Sequence, residues 1–257
     1  MPIAITDEHQ ELAGTVWGVL TSHHALAANR ALLEADDEPR PSFWREMADL
    51  EWLGVHLPEV LGGGGGTLNE LVVILEALGR QVAPGPFLPT ALASAVIAQC
   101  GTPEQQRTFV PGLADGSVTA AVGLAGTLGL DGGMLDGDGG IVLGGKAADL
   151  LLLRAGPDIV VVRRDAEGLV LGGAKDIDPS RRSATVTVSS VTVAEEDVLV
   201  GAARRARALA RTLGAAEAAG VMAACTEAAV AYAKLRVQFG RTIGTFQAVK
   251  HHCADML

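Results

Sequence analysis

Five consecutive glycines, Gly62-Gly63-Gly64-Gly65-Gly66, are the first residues in this sequence that invite a chemical role, because glycine loops can cradle phosphates. Their neighbours argue against it. No Lys-Ser/Thr pair follows, and Thr67 with Glu70 forms a capping box instead, so the glycines are expected to be a flexible connection before a helix. The histidines offer no chelate, since His23-His24 and His251-His252 are adjacent pairs, and helix neighbours point about 100° apart. No metal is expected. Cys100, Cys225 and Cys253 are odd in number and far apart, which excludes a CxxC pair or a disulfide framework and reads as buried, apolar thiols. Glu217 and Glu227 lie in a helical pattern and are read as solvated or interfacial. Arg236 closes that pattern, where a cation complements the helix dipole.

Composition narrows the class of protein. Hydrophobic residues make up 49% and charged residues 19%, which excludes a disordered chain. A net charge of −10, with no Lys/Arg cluster interleaved with aromatics, argues against nucleic acid as partner. The run Arg204-Arg205-Ala206-Arg207 sits in an Ala-rich context and reads as a solvated helix start. No uncharged apolar run approaches the roughly 20 residues of a membrane span. The first residues carry Asp7 and Glu8 where a signal peptide has Lys or Arg, so a cytoplasmic location is expected.

The elements that must position these side chains fall into three groups. The first is helical. Asp7 and Gln10 suggest a cap, followed by Leu12, Val16, Val19 and Leu20 at helical spacing. A second helix is expected from Ser42, with Phe43, Met47 and Leu50 on one face, to Gly54. Leu71, Leu75 and Leu78 mark a helix after Thr67; Pro84, Pro86 and Pro89 then break the pattern, and Thr102-Pro103-Glu104-Gln105 is a strong helix start. From Ser117 the pattern becomes β: strands are expected at 118–124, 141–143, 149–153, 158–163 and 185–193, with turns at Gly132-Gly133 and Gly137 to Gly140 and a bulge at Ser189-Ser190. No helix alternates with them, so a dinucleotide-binding βαβ fold is not supported. From Ala202 to Ala233, 15 of 32 residues are Ala and none is Pro, which predicts one long helix. Small residues at Ala216, Gly220 and Ala223 allow close helix approach, and this face is expected to seek a partner chain. A last helix is expected from Thr245 into Leu257, where the chain stops without a cap.

An α part, a β part and the start of a second α part resemble the acyl-CoA dehydrogenase family, and local strings sharpen the likeness. Trp52-Leu53-Gly54-Val55-His56-Leu57-Pro58-Glu59, the glycine run and Glu76-Ala77-Leu78-Gly79-Arg80 are similar to its N-terminal helical domain. Gly101-Thr102-Pro103-Glu104-Gln105-Gln106 and Gly112-Leu113-Ala114-Asp115-Gly116 resemble its passage into the middle β-domain. Most specific is Arg236-Val237-Gln238-Phe239-Gly240-Arg241-Thr242-Ile243-Gly244-Thr245-Phe246-Gln247 with Ala254-Asp255-Met256, which resembles the signature between the first two helices of the C-terminal bundle. The resemblance implies a multi-domain α and β fold: an N-terminal all-α domain at 1–116, a middle antiparallel β-domain at 117–200 and the start of a C-terminal four-helix bundle at 201–257.

It further implies FAD as cofactor, an acyl-CoA substrate oxidised across Cα and Cβ in lipid catabolism, an electron-transfer flavoprotein or similar acceptor, and a homo- or hetero-oligomer. Arg236 is implied to reach the diphosphate of a neighbouring subunit's FAD and Gln247 its adenine end, with Gln238 and Phe239 on the same string and Thr127 on the chain's own β-domain. A charged guanidinium fork matches a diphosphate. Two departures stand out. The family's Leu-Thr-Glu-Pro-x-x-Gly-Ser-Asp loop corresponds here to residues 124–131, which keep only Thr127 as a neutral hydrogen-bonding side chain, and a later aromatic segment is deleted at Gly144-Gly145-Lys146. No catalytic base can be named: in one branch its position falls on Ala210, in the other beyond Leu257. The 257 residues alone are therefore expected to be inactive, with FAD binding resting more on Arg236 than on the β-domain. The alternative implied is a non-catalytic partner subunit of a mixed assembly, as in some actinobacterial members.

Overall fold

A computed structural model describes residues 6–35, 39–174, 176, 178 and 180–256. The expectations for the first five residues and for Leu257 lie outside them. Six helices come first: α1 (Asp7–Ser22), α2 (Ala25–Ala31), α3 (Trp44–Asp49), α4 (Leu68–Arg80), α5 (Phe87–Cys100) and α6 (Pro103–Ala114). Their starts are written in local hydrogen-bonding chemistry. Thr67 with Glu70 caps α4 and Thr102 with Gln105 caps α6, each a reciprocal box. For α1 the cap is Thr6, one residue earlier than expected, and His9 rather than Gln10 completes the box. That histidine also meets Glu70 at 3.1 Å, so the caps of α1 and α4 are joined. Desolvation raises the Glu70 carboxyl, but hydrogen bonds from the Thr67 hydroxyl, the local backbone and His9 prevail and hold it at about 2.

Three helical expectations are corrected. The helix near Ser42 begins at Trp44 and ends at Asp49; Met47 and Trp44 are buried, whereas Leu50 is exposed. Pro86 and Pro89 do not end helical structure. Pro86 is the N-cap of α5 and Pro89 lies in its first turn, where a missing N–H breaks no bond. The glycines are not a loose connection: the N–H groups of Gly63, Gly64, Gly65 and Gly66 donate to the carbonyls of Pro58, Gly54, Leu57 and Val55. This strap lies so close to the preceding loop that a Cβ at Gly66 would stand 2.7 Å from the Val55 oxygen.

Seven strands form one sheet in the order β5-β6-β2-β1-β3-β4-β7: β1 (Ala120–Asp131), β2 (Met134–Val142), β3 (Leu150–Ala155), β4 (Asp158–Arg163), β5 (Leu169–Gly173), β6 (Ala184–Thr192) and β7 (Val198–Leu199). Pairing is antiparallel except between β1 and β3, which are parallel, so the middle part is a mixed sheet. Gly132-Gly133 is the expected turn, and β6 carries the expected bulge: Val188 and Val191 pair with Gly137 and Leu135, leaving one residue extra, with Ser190 at φ 54°. Gly137 to Gly140 is not a turn. It lies inside β2, glycine-rich because β1 crosses it at backbone contact; a Cβ at Gly126 would stand 2.5 Å from the Asp138 oxygen. The short strand β5 was not foreseen.

β1 turns the corner of the sheet. Its first half pairs with β3 through Gly123 and its last residues with β2 from Gly129; at the junction, four residues, 124–127, oppose Arg154 alone. One face of the sheet (Leu150, Leu152, Ile159, Val161) joins the helical core, and the other curls so that Leu151, Leu153, Val160 and Val162 pack with Val142, Val186 and Val188. α7 (Ala203–Leu235) then runs 33 residues, about 50 Å, with Ala206, Leu209 and Leu213 in that same core. Its small-residue face is not left for another chain, as had been expected. Ala216 and Gly220 are buried against α4, where a Cβ at Gly220 would collide with the Glu76 carbonyl oxygen and one at Gly79 with that of Glu217. By length and mean hydropathy α7 is the one described helix that matches a membrane span, an Ala-rich stretch not counted as apolar from the sequence; its Glu217 and Glu227 are paired with Arg181 and Arg80.

Two measurements check this packing. Gly220→Ala should cost about 1–3 kcal/mol in urea unfolding, whereas Gly214→Ala, whose Cβ meets open space, should be neutral or stabilise by about 0.5–1 kcal/mol. His56 supplies the second. Burial lowers its pKa to about 4, its Nε2 meets Ser94 Oγ at 3.2 Å, and its Nδ1 is enclosed without a protein partner. The folded value lies below the ordinary 6.5, so the unfolded chain takes up the proton first and stability falls as pH drops from 6.5 towards 4. Unfolding free energy should be lower at pH 5 than at pH 7 by about 1–2 kcal/mol more in the parent than in His56→Asn.

Candidate functional site

The C-terminal end of α7 is built to present side chains. Arg236 caps the helix, Ile243 N donates to its carbonyl at 2.8 Å, and between them a two-residue hairpin joins β8 (Val237–Gln238) to β9 (Arg241–Thr242). Phe239 at φ 52° and Gly240 at φ 75° are its central residues, both at positive φ as a type I′ turn requires. Glycine suits the second position; phenylalanine is unfavourable at the first. A 3₁₀ turn (Ile243–Thr245) follows, and Gly244 lies so near the helix end that a Cβ there would stand 2.9 Å from the Ala233 oxygen. α8 (Gln247–Asp255) starts after Phe246 rather than at Thr245 and is tied back to α7 by Thr226 Oγ1 and the Met256 carbonyl.

Four of the five expected site residues are thus gathered at one end of α7. Phe239 is 92% exposed and makes a T-shaped contact with Phe246, centroids 6.2 Å apart, while the Arg241 guanidinium covers the Phe246 ring at 4.1 Å. Gln238 bonds its neighbour's carbonyl and Gln247 reaches His251 at 3.0 Å, both local contacts. Arg236 is exposed and enters none of the ion pairs among the described residues. Thr127 is elsewhere, exposed at the β1 corner. The donor set on the hairpin, an uncommitted guanidinium with two amides and a bare aromatic ring, fits the diphosphate and the ring of a dinucleotide such as FAD. The β1 segment fits it less well. Residues 129–131 are paired with β2, and the Leu124 and Gly126 carbonyls accept from Arg154.

The carboxylates on α7 are engaged. Glu217 is clasped by both terminal nitrogens of Arg181 at 2.7 and 2.9 Å, with side chains 19% and 13% exposed, and Arg181 Nε donates to the Gly85 carbonyl. Glu227 pairs with Arg80, whose guanidinium lies 5.9 Å from the Trp17 ring. Glu217 is withdrawn from solvent, whereas Glu227 is exposed, as the solvated reading expected; both pair within the chain. Ala210 is half-buried against the core and brings no carboxylate. The thiols also depart from expectation: Cys225 is exposed and Cys100 and Cys253 are half-buried. Among the described residues no group of three metal-ligating side chains exists. Sequence reasoning missed Arg154 and Arg181; the signal available for Arg154 was a single charge in the otherwise apolar run Leu150–Ala155.

Fold and site together define a helical–β–helical protein with an exposed hairpin at the end of α7, and the comparisons give its family. The model of the acyl-CoA dehydrogenase N-terminal domain matches residues 6–117 and that of the C-terminal domain residues 201–257. Acyl-CoA dehydrogenase FadE34 of Mycobacterium tuberculosis is 34% identical over the whole chain, which spans 36% of it; acyl-CoA dehydrogenase IpdE2 of the same organism is 32% identical over 97% of this chain and 71% of its own. Among solved structures, the Tcur3481-Tcur3483 steroid ACAD G363A variant is 35% identical, with a TM-score of 0.87 over 98% of this chain and 73% of that one. The ChsE4-ChsE5 complex from Mycobacterium tuberculosis superposes with a TM-score of 0.92 at 26% identity over 99% and 74%. The chain belongs to the acyl-CoA dehydrogenase family, whose members are flavoproteins.

The clasp yields a prediction. Arg181→Ala leaves Glu217 half-buried without its partner and should cost about 2–3 kcal/mol, while Arg181→Ala with Glu217→Ala should cost less than the sum of the singles, as a double-mutant cycle in urea would show.

Proposed function

We propose that this chain works in the FAD-dependent α,β-dehydrogenation of an acyl-CoA thioester, contributing its hairpin to FAD across an interface between chains. The observation that carries this reading is the exposed Arg236–Gln238–Phe239 group on a rigid turn, aimed away from its own fold. Bound FAD would take the β-hydrogen as hydride. Of this chain's residues, Arg236 would hold the diphosphate, Gln238 and Gln247 would offer amides to the nucleotide end, and Phe239 would offer a ring face; Thr127 is a minor contact. We divide the chain into three units, 1–116, 117–200 and 201–257. We place the assembly in the cytoplasm, in lipid catabolism, with an electron-transfer flavoprotein or similar protein as acceptor. The likeness to a steroid ACAD makes a steroid side-chain thioester the first substrate to assay.

A second reading follows from the β1 corner. With residues 129–131 paired in the sheet, and two corner carbonyls bonded to Arg154, this chain's β-domain offers the flavin end few donors. The flavin would then be held mainly by a different chain, this one serving as partner subunit; the likeness to the two-component Tcur3481-Tcur3483 and ChsE4-ChsE5 proteins supports it.

The test is flavin fluorescence titration of the assembled full-length protein. Arg236→Ala should weaken FAD binding roughly 10- to 150-fold, the loss of about 1.5–3 kcal/mol for a charge-assisted contact, and Thr127→Ala much less. An unchanged affinity in Arg236→Ala overturns the reading.

A further inference from the structure

A cavity of about 240 Å³ lies where the end of α4, the middle of α7 and the approach to β6 meet. Val82, Leu143 and Val221 give it apolar walls, and Ser180, Arg181 and Glu217 give it a polar side. It is larger than the roughly 150 Å³ that accommodates benzene in a protein core, so a single saturated ring fits. Two features of its lining burden the fold without serving it. Val82 stands at φ 46°, just beyond α4, where the helix ends in a Schellman pattern: Val82 N donates to the Gly79 carbonyl and Ala83 N to that of Leu78, both at 3.0 Å. Glycine ordinarily takes that position, because a branched side chain is strained at positive φ. The strained turn is held from behind, where the buried Asn29 donates through Nδ2 to the Val82 carbonyl at 2.7 Å.

Ser180 is the second. It is 4% exposed and lines the cavity, yet its hydroxyl has no hydrogen-bond partner among the described residues. A valine kept where glycine would be relaxed, and a hydroxyl withdrawn from water without a partner, border one cavity, and a ligand accounts for both. The charges say of what kind. Arg181 and Glu217 cancel, each carboxylate oxygen accepting one N–H at 2.7 or 2.9 Å. An anion would enter without a counter-charge and against Asp178, the other acid of the lining. Asp178 is exposed and already accepts from Ser180 N at 2.9 Å, so it offers an ammonium group little within the cavity.

We propose that this cavity binds a neutral, compact alicyclic alcohol, its ring against Val82, Leu143 and Val221 and its hydroxyl hydrogen-bonded to Ser180. The isopropyl group of Val82 is the wall that the strain secures, and the Ser180 hydroxyl gains the partner the fold denies it. Nothing in this inference uses FAD or a thioester, so it stands apart from the function proposed above.

Ligand-observed NMR titration of the assembled full-length protein with cyclohexanol tests this, with cyclohexane, cyclohexylamine and cyclohexanecarboxylate as companions and thermal unfolding read in parallel. Cyclohexanol should bind the parent more tightly than any of the three. Ser180→Ala should weaken cyclohexanol about 3- to 10-fold, the worth of one neutral hydrogen bond, and leave cyclohexane unchanged. Val82→Gly should weaken both by about threefold or more through lost apolar contact, with a thermal midpoint no lower than the parent's because the strain is relieved. A valine with a purely structural role would give the reverse, a lower midpoint and unchanged affinity. A parent that does not bind cyclohexanol, a Ser180→Ala or Val82→Gly that binds it as the parent does, or a carboxylate or amine that binds as tightly as the alcohol overturns the proposal.

Discussion

The crossing of α4 and α7 is the constraint on which the rest of the molecule depends. Gly79 and Gly220 let two helix backbones meet with no side chain between them, and a single methyl on either would strike a carbonyl of the other helix. Contact at that distance fixes the rotation of α7 about its axis. It sets Glu217 against Arg181 and Glu227 against Arg80, and it turns Leu209 and Leu213 into the core that the sheet also enters. Because a helix transmits orientation along its length, the same crossing determines where Arg236 stands, roughly 24 Å further on.

The sheet answers a different problem. It has one face against helices and must bury the other, and it does so by bending on itself at β1, the strand that belongs to both halves. Bending strands backbone carbonyls, and an arginine from the opposing strand takes them up. Glycines in β2 are the second requirement of that corner, since the two backbones pass too close for side chains. The corner and the hairpin of α7 thus call on arginine for opposite reasons: Arg154 because a sheet had to turn, Arg236 because a helix had to stop.

Much of this was legible in the sequence wherever the deciding interaction is local. The capping boxes at Thr67 and Thr102, the Ala-rich helix, the turn at Gly132-Gly133 and the bulge at Ser189-Ser190 each depend on residues within a few positions of one another. The string from Arg236 to Gln247 was legible only through its resemblance to a family signature, and the hairpin it forms was not foreseen. α5 was not: buried on all sides, it has no polar face and so no helical period to read, and its prolines look like breakers until their place in the first turn is known.

The sequence by itself therefore determined the three-part α, β, α order, the capped starts of α4 and α6 and the cationic, aromatic character of the exposed end of α7. Tertiary structure alone decided what the glycines and isolated charges are for. Gly62 to Gly66 became a strap, Gly137 to Gly140 a strand, Gly220 a helix crossing, and Arg154 and Arg181 pins between distant segments. The physical reason is common to all of them. A glycine records that something passes close, and a lone arginine that carbonyls or a carboxylate need a partner, but neither says which part of the chain arrives.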